Sequence, residues 1–209
     1  MTADAFTSII RARLAHAGVV AADEVVARNA AYLALLAKWN ARMNLTAFDL
    51  AHPVDQAIDR LIVEPVQAAA SVRPDDRVMI DIGSGGGSPA FPFLLAAPHE
   101  LRAVLIEART RRSGFLREAA RVLQLPQVHV DTARFGQDWS STRLMATADI
   151  VTLRAVRPDV ELWKGVAAAT HAGSRVVWFV EWEQKSDIWS YDIFSLITRA
   201  DKFVVLEKT

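Results

Sequence analysis

The sequence predicts an α/β fold: a mostly parallel seven-stranded sheet with an antiparallel C-terminal edge, preceded by a helical extension. Three observations carry that prediction. From residue 78 onward, short apolar runs alternate with amphipathic stretches, the pattern of a parallel sheet covered by helices on both faces. Before residue 72, apolar side chains recur at helical spacing. The tail reads as two further strands around Ala200-Asp201, which turns the last edge antiparallel. Residues 1–72 are therefore assigned to a helical extension packed on the core, and 73–209 to the core itself.

The elements follow in order. Phe6, Ile9, Ile10 and Leu14 define a first helix. A second begins near Asp23, read as its N-cap, and lines up Val25, Tyr32, Leu36, Trp39 and Met43 on one face. A third covers Val54 to Ala70, and Ser71 to Asp76 forms the junction. Val78 to Ile82 is the first strand. A glycine loop follows, then a helix opening at Pro89, which suits a first turn. Ala103 to Ile106 is the second strand. Thr110 to Leu123 is a helix with Phe115, Ala119, Val122 and Leu123 inward. Val128 to Val130 and Ile150 to Leu153 are the third and fourth strands. Val160 to Ala169 is a helix, and Arg175 to Val180 the fifth strand. Tyr191 to Thr198 and Lys202 to Glu207 complete the sheet.

Composition narrows the function classes. The chain has 209 residues, 52% hydrophobic and 23% charged, which suits a packed domain and argues against disorder. No apolar run approaches the ~18 residues of a membrane span. The opening Met1-Thr2-Ala3-Asp4 lacks a basic segment and an apolar core, so no secretory signal is read. The absence of cysteine excludes disulfides, a thiol nucleophile and thiolate metal sites. A cytoplasmic monomer without a metal is expected. Net charge is zero, so any nucleic-acid surface must be a local patch.

The informative segment is Asp81-Ile82-Gly83-Ser84-Gly85-Gly86-Gly87-Ser88-Pro89. It lies between a strand and a helix, where doubly wound sheets bind nucleotides. Two details favour S-adenosylmethionine over a dinucleotide. The sixth position of the dinucleotide fingerprint, normally Gly or Ala, is Ser88. Asp81 stands inside the strand end, where a carboxylate can meet the ammonium of a methionine moiety. Glu107 closes the second strand and can accept the ribose hydroxyls, although NAD would use it equally well. No Gly-Lys-Ser/Thr follows the glycines, which excludes a P-loop. Asp81, Gly83, Ser84, Gly85 and Glu107 are the cofactor candidates on this reading. Taken singly, Asp81 can also cap the next helix, and Glu107 can be a solvated strand end; the cofactor role is the preferred reading of both.

Further segments carry a family resemblance. Tyr32-Leu33-Ala34-Leu35-Leu36-Ala37-Lys38-Trp39-Asn40, then Asn44-Leu45-Thr46, resemble the helical entry of the GidB (RsmG) family, the bacterial small-subunit rRNA guanine-N7 methyltransferases. Asp81 to Gly85 with Pro89 and Pro92, Arg111 to Glu118, Arg134-Phe135-Gly136, and Thr152-Leu153-Arg154-Ala155 resemble its later motifs, in order from about residue 25 to 158. The resemblance implies a class I, Rossmann-like S-adenosylmethionine-dependent methyltransferase fold. It implies S-adenosyl-L-methionine as methyl donor and small-subunit (16S) rRNA or a ribosomal particle as partner. It adds cofactor contacts at Ser88, Phe135, Gly136 and Arg154. Arg154 and Asn44 are the candidate catalytic positions, Asn44 being open between lining the substrate site and capping its helix.

The chain also departs from the family. Where the family carries an Arg-His pair before Asp-Ser, this chain has Asp55-Gln56-Ala57-Ile58-Asp59-Arg60, and only Asp59 survives. The family's Lys-Gly at the end of the fifth strand is replaced by a run ending Glu181-Trp182-Glu183, and Gly136 stands where an acidic residue is usual. These losses favour two alternatives: a methyltransferase with a non-rRNA substrate, or a cofactor-binding paralogue without catalysis.

Guanine N7 has a free lone pair and loses no proton on attack, so the chemistry needs positioning rather than a general base, with nucleophile and methyl ~3–3.5 Å apart. None of the five scattered histidines is assigned a role. Arg109, Arg111, Arg112 and Arg117 form the dense basic cluster, with Arg134, Arg154 and Arg157 near the same rim. Arg109, Arg111 and Arg134 are the candidates for substrate phosphates, while Arg112 and Arg117 fit a solvated helix face. Trp178, Trp182 and Trp189 crowd the C-terminal region and fit packing in a terminal layer or an interface.

Overall fold

The computed structural model describes residues 1–136, 146–180 and 193–209. Helices α1 (Ala3–His16) and α2 (Asp23–Met43) lead into α3 (Asp55–Ile58) and α4 (Glu64–Ala68), which a π-helical run, Asp59–Val63, joins into one helix. The core follows as β1 (Val78–Ile82), α5 (Ala90–Ala96), β2 (Arg102–Ile106), α6 (Thr110–Val122), β3 (Val128–Asp131), β4 (Ala148–Arg154), α7 (Val160–Ala169), β5 (Thr170–Phe179), β6 (Phe194–Arg199) and β7 (Phe203–Lys208). The seven strands run in the order β3-β2-β1-β4-β5-β7-β6. β1 to β5 are parallel, and β7 pairs antiparallel with β5 and β6.

Strand side chains alternate between faces, so one sheet supports two cores. Met79, Leu105, Ile150 and Val177 pack beneath α1, α2, α4, α5 and α6, against Phe6, Leu33, Leu36, Phe91 and Phe115. Ile80, Ile106, Val151 and Trp178 face α7 through Trp163 and Val166. The N-terminal helices thus share a core with one sheet face. Each fully buried leucine or phenylalanine there contributes about 1.5–3 kcal/mol. Asp81 has the parity of Met79, which aims it at the helical face, and the switch between β1 and β4 opens the sheet beside it.

Several local expectations shift. Asp23 is the first helical residue; Ala22 occupies the N-cap without a side-chain bond, and Asp23 pairs with Arg11 instead. Val122 is 41% exposed, because it lies on the last turn of α6 beyond the packed face. Pro89 caps α5 rather than opening it. β4 begins at Ala148, and β5 begins at Thr170 directly after α7, with a register shift between Ala148 and Ile150. The last two strands start and end later than expected, and 191–192 lie outside the described residues. Trp178 packs edge-on to Trp163 at 5.8 Å, so it belongs to the core. Trp39, half-buried, meets Phe115 at 5.7 Å. Trp182, Trp189, Glu181 and Glu183 lie outside the described residues.

Candidate active site

The carboxyl ends of β1, β2 and β4 meet two adjoining clefts that share Gly83. The larger, about 580 Å³, is lined by Glu107, Ala108, Arg134, Phe135, Gly136, Val156 and Arg157 among others. The smaller, about 260 Å³, lies under α2 and the π-helical run and includes Tyr32, Phe48, Arg60, Ser88, Arg112 and Arg154.

The glycine loop is held by its own backbone and by Glu107. Gly83 and Ser84 donate their N–H groups to the Ile106 carbonyl at 2.9 and 3.1 Å. Gly85 N–H donates to Glu107 Oε2 at 2.9 Å, and Arg109 N–H to Oε1 at 2.8 Å. Each of these oxygens keeps a further lone pair, and Glu107 lines the larger cleft. Gly87 is the position where glycine is required: φ is +87°, and a Cβ there would sit 2.4 Å from the Phe91 ring. Tyr32 Oη donates to the Gly86 carbonyl at 2.7 Å and fastens α2 over the loop.

Asp81 is 1% exposed. Its Oδ1 accepts from Thr152 Oγ1 at 2.5 Å, while buried Oδ2 has no hydrogen-bond partner among the described residues. Burial pushes its pKa up to about 6, against the hydrogen bonds and the nearby Arg154 that favour the charged form. The Arg154 side chain is 9% exposed. Its Nη2 donates to Glu64 at 2.7 Å, and its Nη1 donates to Ser88 Oγ at 3.2 Å and to the Arg60 carbonyl. The guanidinium lies 4.4 Å from the Phe179 ring centroid, and its Nε is buried without a partner among the described residues. Burial lowers its pKa to about 10 and raises that of Glu64, although each partner's charge opposes the shift.

These orphaned atoms test the fit of the donor. An acceptor on Asp81 and a donor on Arg154, both buried on the same sheet face, match the ammonium and carboxylate of an α-amino acid such as methionine. The second cleft beside Glu107 leaves room for a nucleoside. A doubly wound seven-stranded sheet with this loop and this pair of buried charges has the class I, Rossmann-like architecture of S-adenosylmethionine-dependent methyltransferases.

Comparison with known proteins gives the particular family. The model of the family described as GidB, rRNA small subunit methyltransferase G, matches residues 26–179. The chain is similar to the ribosomal RNA small subunit methyltransferase G of Neisseria gonorrhoeae, 35% identical over 148 residues, covering 70% of this chain and 66% of that protein. It is 32% identical over 161 residues to that of Neisseria meningitidis serogroup C, covering 75% and 72%. Against the Rhodospirillum rubrum protein it is 29% identical over 191 residues, covering 88% and 90%. In fold it resembles an O-methyltransferase from Bacillus cereus in complex with SAH, at TM-score 0.61 and 14% identity over the whole of both chains. It also resembles an rRNA methylase from Streptococcus thermophilus, at TM-score 0.53 and 12% identity, covering 71% of this chain and 97% of that one. The chain belongs to the GidB family of rRNA small subunit methyltransferases.

The structure brings most of the anticipated residues together. Gly83, Ser84, Gly85, Ser88 and Arg154 line the smaller cleft, and Glu107, Phe135, Gly136 and Arg134 the larger; Asp81 is buried at the foot of the loop and lines neither. Ser88 spends its hydroxyl donor on the Leu61 carbonyl at 2.8 Å. Asn44 is exposed and caps α2 in the left-handed conformation; Leu45 and Thr46, not Asn44, line the smaller cleft. Arg109 and Arg111 are exposed and line neither cleft, whereas Arg112 reaches the smaller one and donates to the Asn44 carbonyl. Arg117 is tied to the Val130 carbonyl and Thr132. The surviving Asp59 accepts two bonds from Arg13, which also pairs with Asp55, so this acidic stretch docks α1. Sequence reading passed over Glu64, Thr152 and Arg60. Glu64 had one usable signal: a carboxylate inside the apolar run Leu61-Ile62-Val63-Glu64-Pro65-Val66.

Among the described residues no helix is long and apolar enough to cross a membrane, and no cluster of His, Asp and Glu is arranged to hold a metal.

Proposed function

We propose that this chain methylates N7 of a guanine in small-subunit (16S) rRNA. The observation that carries the reading is the family match over residues 26–179, which embraces both halves of the site, from Tyr32 on α2 to Arg154 on β4. When bound, S-adenosylmethionine supplies a sulfonium-activated methyl group, so the protein's task is to position and desolvate. In this reading Asp81 takes the ammonium, Arg154 the carboxylate and Glu107 the ribose hydroxyls. The loop from Gly83 to Gly85 and the Phe135-Gly136 backbone bound the nucleoside. Arg109, Arg111, Arg134 and Arg157 form an exposed basic rim that supports phosphate contacts despite zero net charge. Asn44 stands beside Arg112, whose guanidinium donates to its carbonyl. The enzyme acts in the cytoplasm as a monomer on rRNA or a ribosomal particle.

The test is methyl transfer from labelled S-adenosylmethionine to ribosomal particles lacking the guanine-N7 mark. Label at guanine N7 that disappears in Asp81→Ala and Arg154→Ala is the expected result. Donor binding without label in any rRNA would overturn the substrate assignment.

A further inference from the structure

We propose that Glu64 is a positioning residue for the donor site: by holding the Arg154 guanidinium against α4, it keeps that cation from closing onto Asp81 and leaves the Asp81 carboxylate for the donor's ammonium. The inference rests on the methyl-donor reading of Asp81.

Arg154 follows Thr152 by two positions on β4, so both side chains leave the same face. Thr152 is already bonded to Asp81. A buried cation and a buried carboxylate therefore share that face, and each carries an atom without a partner among the described residues, Arg154 Nε and Asp81 Oδ2. Opposite charges so placed would ordinarily pair. The tethers that hold Arg154 away are Glu64, the Arg60 carbonyl and Ser88. The bonds to the Arg60 carbonyl and Ser88 reach neutral oxygens, whereas Glu64 alone among them carries the opposite charge and makes an ion pair with the guanidinium, at 2.7 Å. Its side chain is 10% exposed and sits where the π-helical run passes into α4. π-Helical turns often occur at functional sites.

The surrounding charges agree. Glu64 faces Arg154, Arg60, Lys202 and Asp59; Arg154 faces Glu64, Arg60, Asp81 and Tyr32; Asp81 faces Arg154, Glu107 and Tyr32. A direct pair with Arg154 would pull Asp81 below the ordinary carboxylate range, yet burial leaves it near 6.

The experiment uses the full chain with S-adenosylmethionine as probe. Calorimetry gives Kd across pH, and carbon NMR gives the Asp81 pKa without ligand. In Glu64→Gln the Asp81 pKa falls by roughly 1–3 units. Kd rises about tenfold for each unit, and the acid limb of binding moves to lower pH. KM for the donor rises while kcat at saturation holds. Glu64→Asp restores most of the affinity. In an Arg154→Met background the same Glu64→Gln change alters Kd by less than about twofold, because the cation it restrains is gone. Should Glu64→Gln alone fail to fold, Glu64→Asp, which keeps the charge on a shorter reach, gives the same reading: the Asp81 pKa falls part of the way, and an unmoved pKa there overturns the inference. An unmoved Asp81 pKa in Glu64→Gln, or an equal loss of affinity with and without Arg154, would overturn the inference. Failure of the unaltered protein to bind the donor would overturn the donor-site reading itself, and the inference with it.

Discussion

At the amino end of the sheet Arg175 is buried against Asp76; at the carboxyl end Arg154 is buried against Glu64. The two pairs look alike by composition and differ in how their neighbours are arranged. Both Asp76 oxygens accept from Arg175, and the Arg73 N–H adds a bond at 2.6 Å. That pair ties the chain entering β1 to β5. At the other end the Glu64–Arg154 pair stands beside a third buried charge, Asp81, with an orphaned carboxylate oxygen. An unpartnered guanidinium Nε occurs in both places and so does not distinguish them; the unpartnered carboxylate does. One end spends its polar groups on the fold, and the other reserves them at a cost in stability.

The largest effect should come from breaking the amino-end pair. Arg175→Met strands the buried Asp76 carboxylate and costs about 3–5 kcal/mol of folding stability, read by denaturant titration. Donor affinity of the folded fraction stays unchanged; a selective loss of donor binding would dissolve the contrast between the two ends. Next comes Asp81→Asn, which removes a charge-assisted bond to the donor. It weakens S-adenosylmethionine binding about 10- to 100-fold by calorimetry. The same variant without ligand is more stable than the parent at pH 7, by about 1–3 kcal/mol, because it no longer buries a charged carboxylate.

The pH dependence sharpens that point. Asp81 has a folded pKa of about 6, above its ordinary 3.8, so the folded state holds the proton more tightly than the unfolded state. Its burden on stability is complete above about pH 6 and is relieved as pH falls toward about 4. The stability gap between parent and Asp81→Asn should narrow across that window in thermal melts, while the parent's donor affinity falls. A constant gap would place the burden elsewhere. The smallest effects belong to the exposed rim. Arg109→Ala or Arg111→Ala should change stability by no more than ~0.5 kcal/mol. Each should lower the salt dependence of binding to ribosomal particles by about one unit of slope.

What the sequence by itself determined is the part written in local periodicity and local chemistry. Alternation from Val78 onward specified the parallel sheet, because a strand buried on both faces must read as an apolar run. The stretch from Asp81 to Ser88 announced a ligand loop through its glycines between a strand and a helix, and the structure shows why one of them is required: Gly87 holds φ of +87° with the Phe91 ring where a Cβ would sit. Tertiary structure decided everything that depends on long separations. Arg154 meets Glu64 across ninety positions and Ser88 across sixty-six, and no short-range pattern encodes such a meeting. The same separation hid the use of Asp55 and Asp59, which only the approach of Arg13 on α1 explains. A carboxylate's role follows from what else is buried beside it, and that is fixed only when the helices close over the sheet.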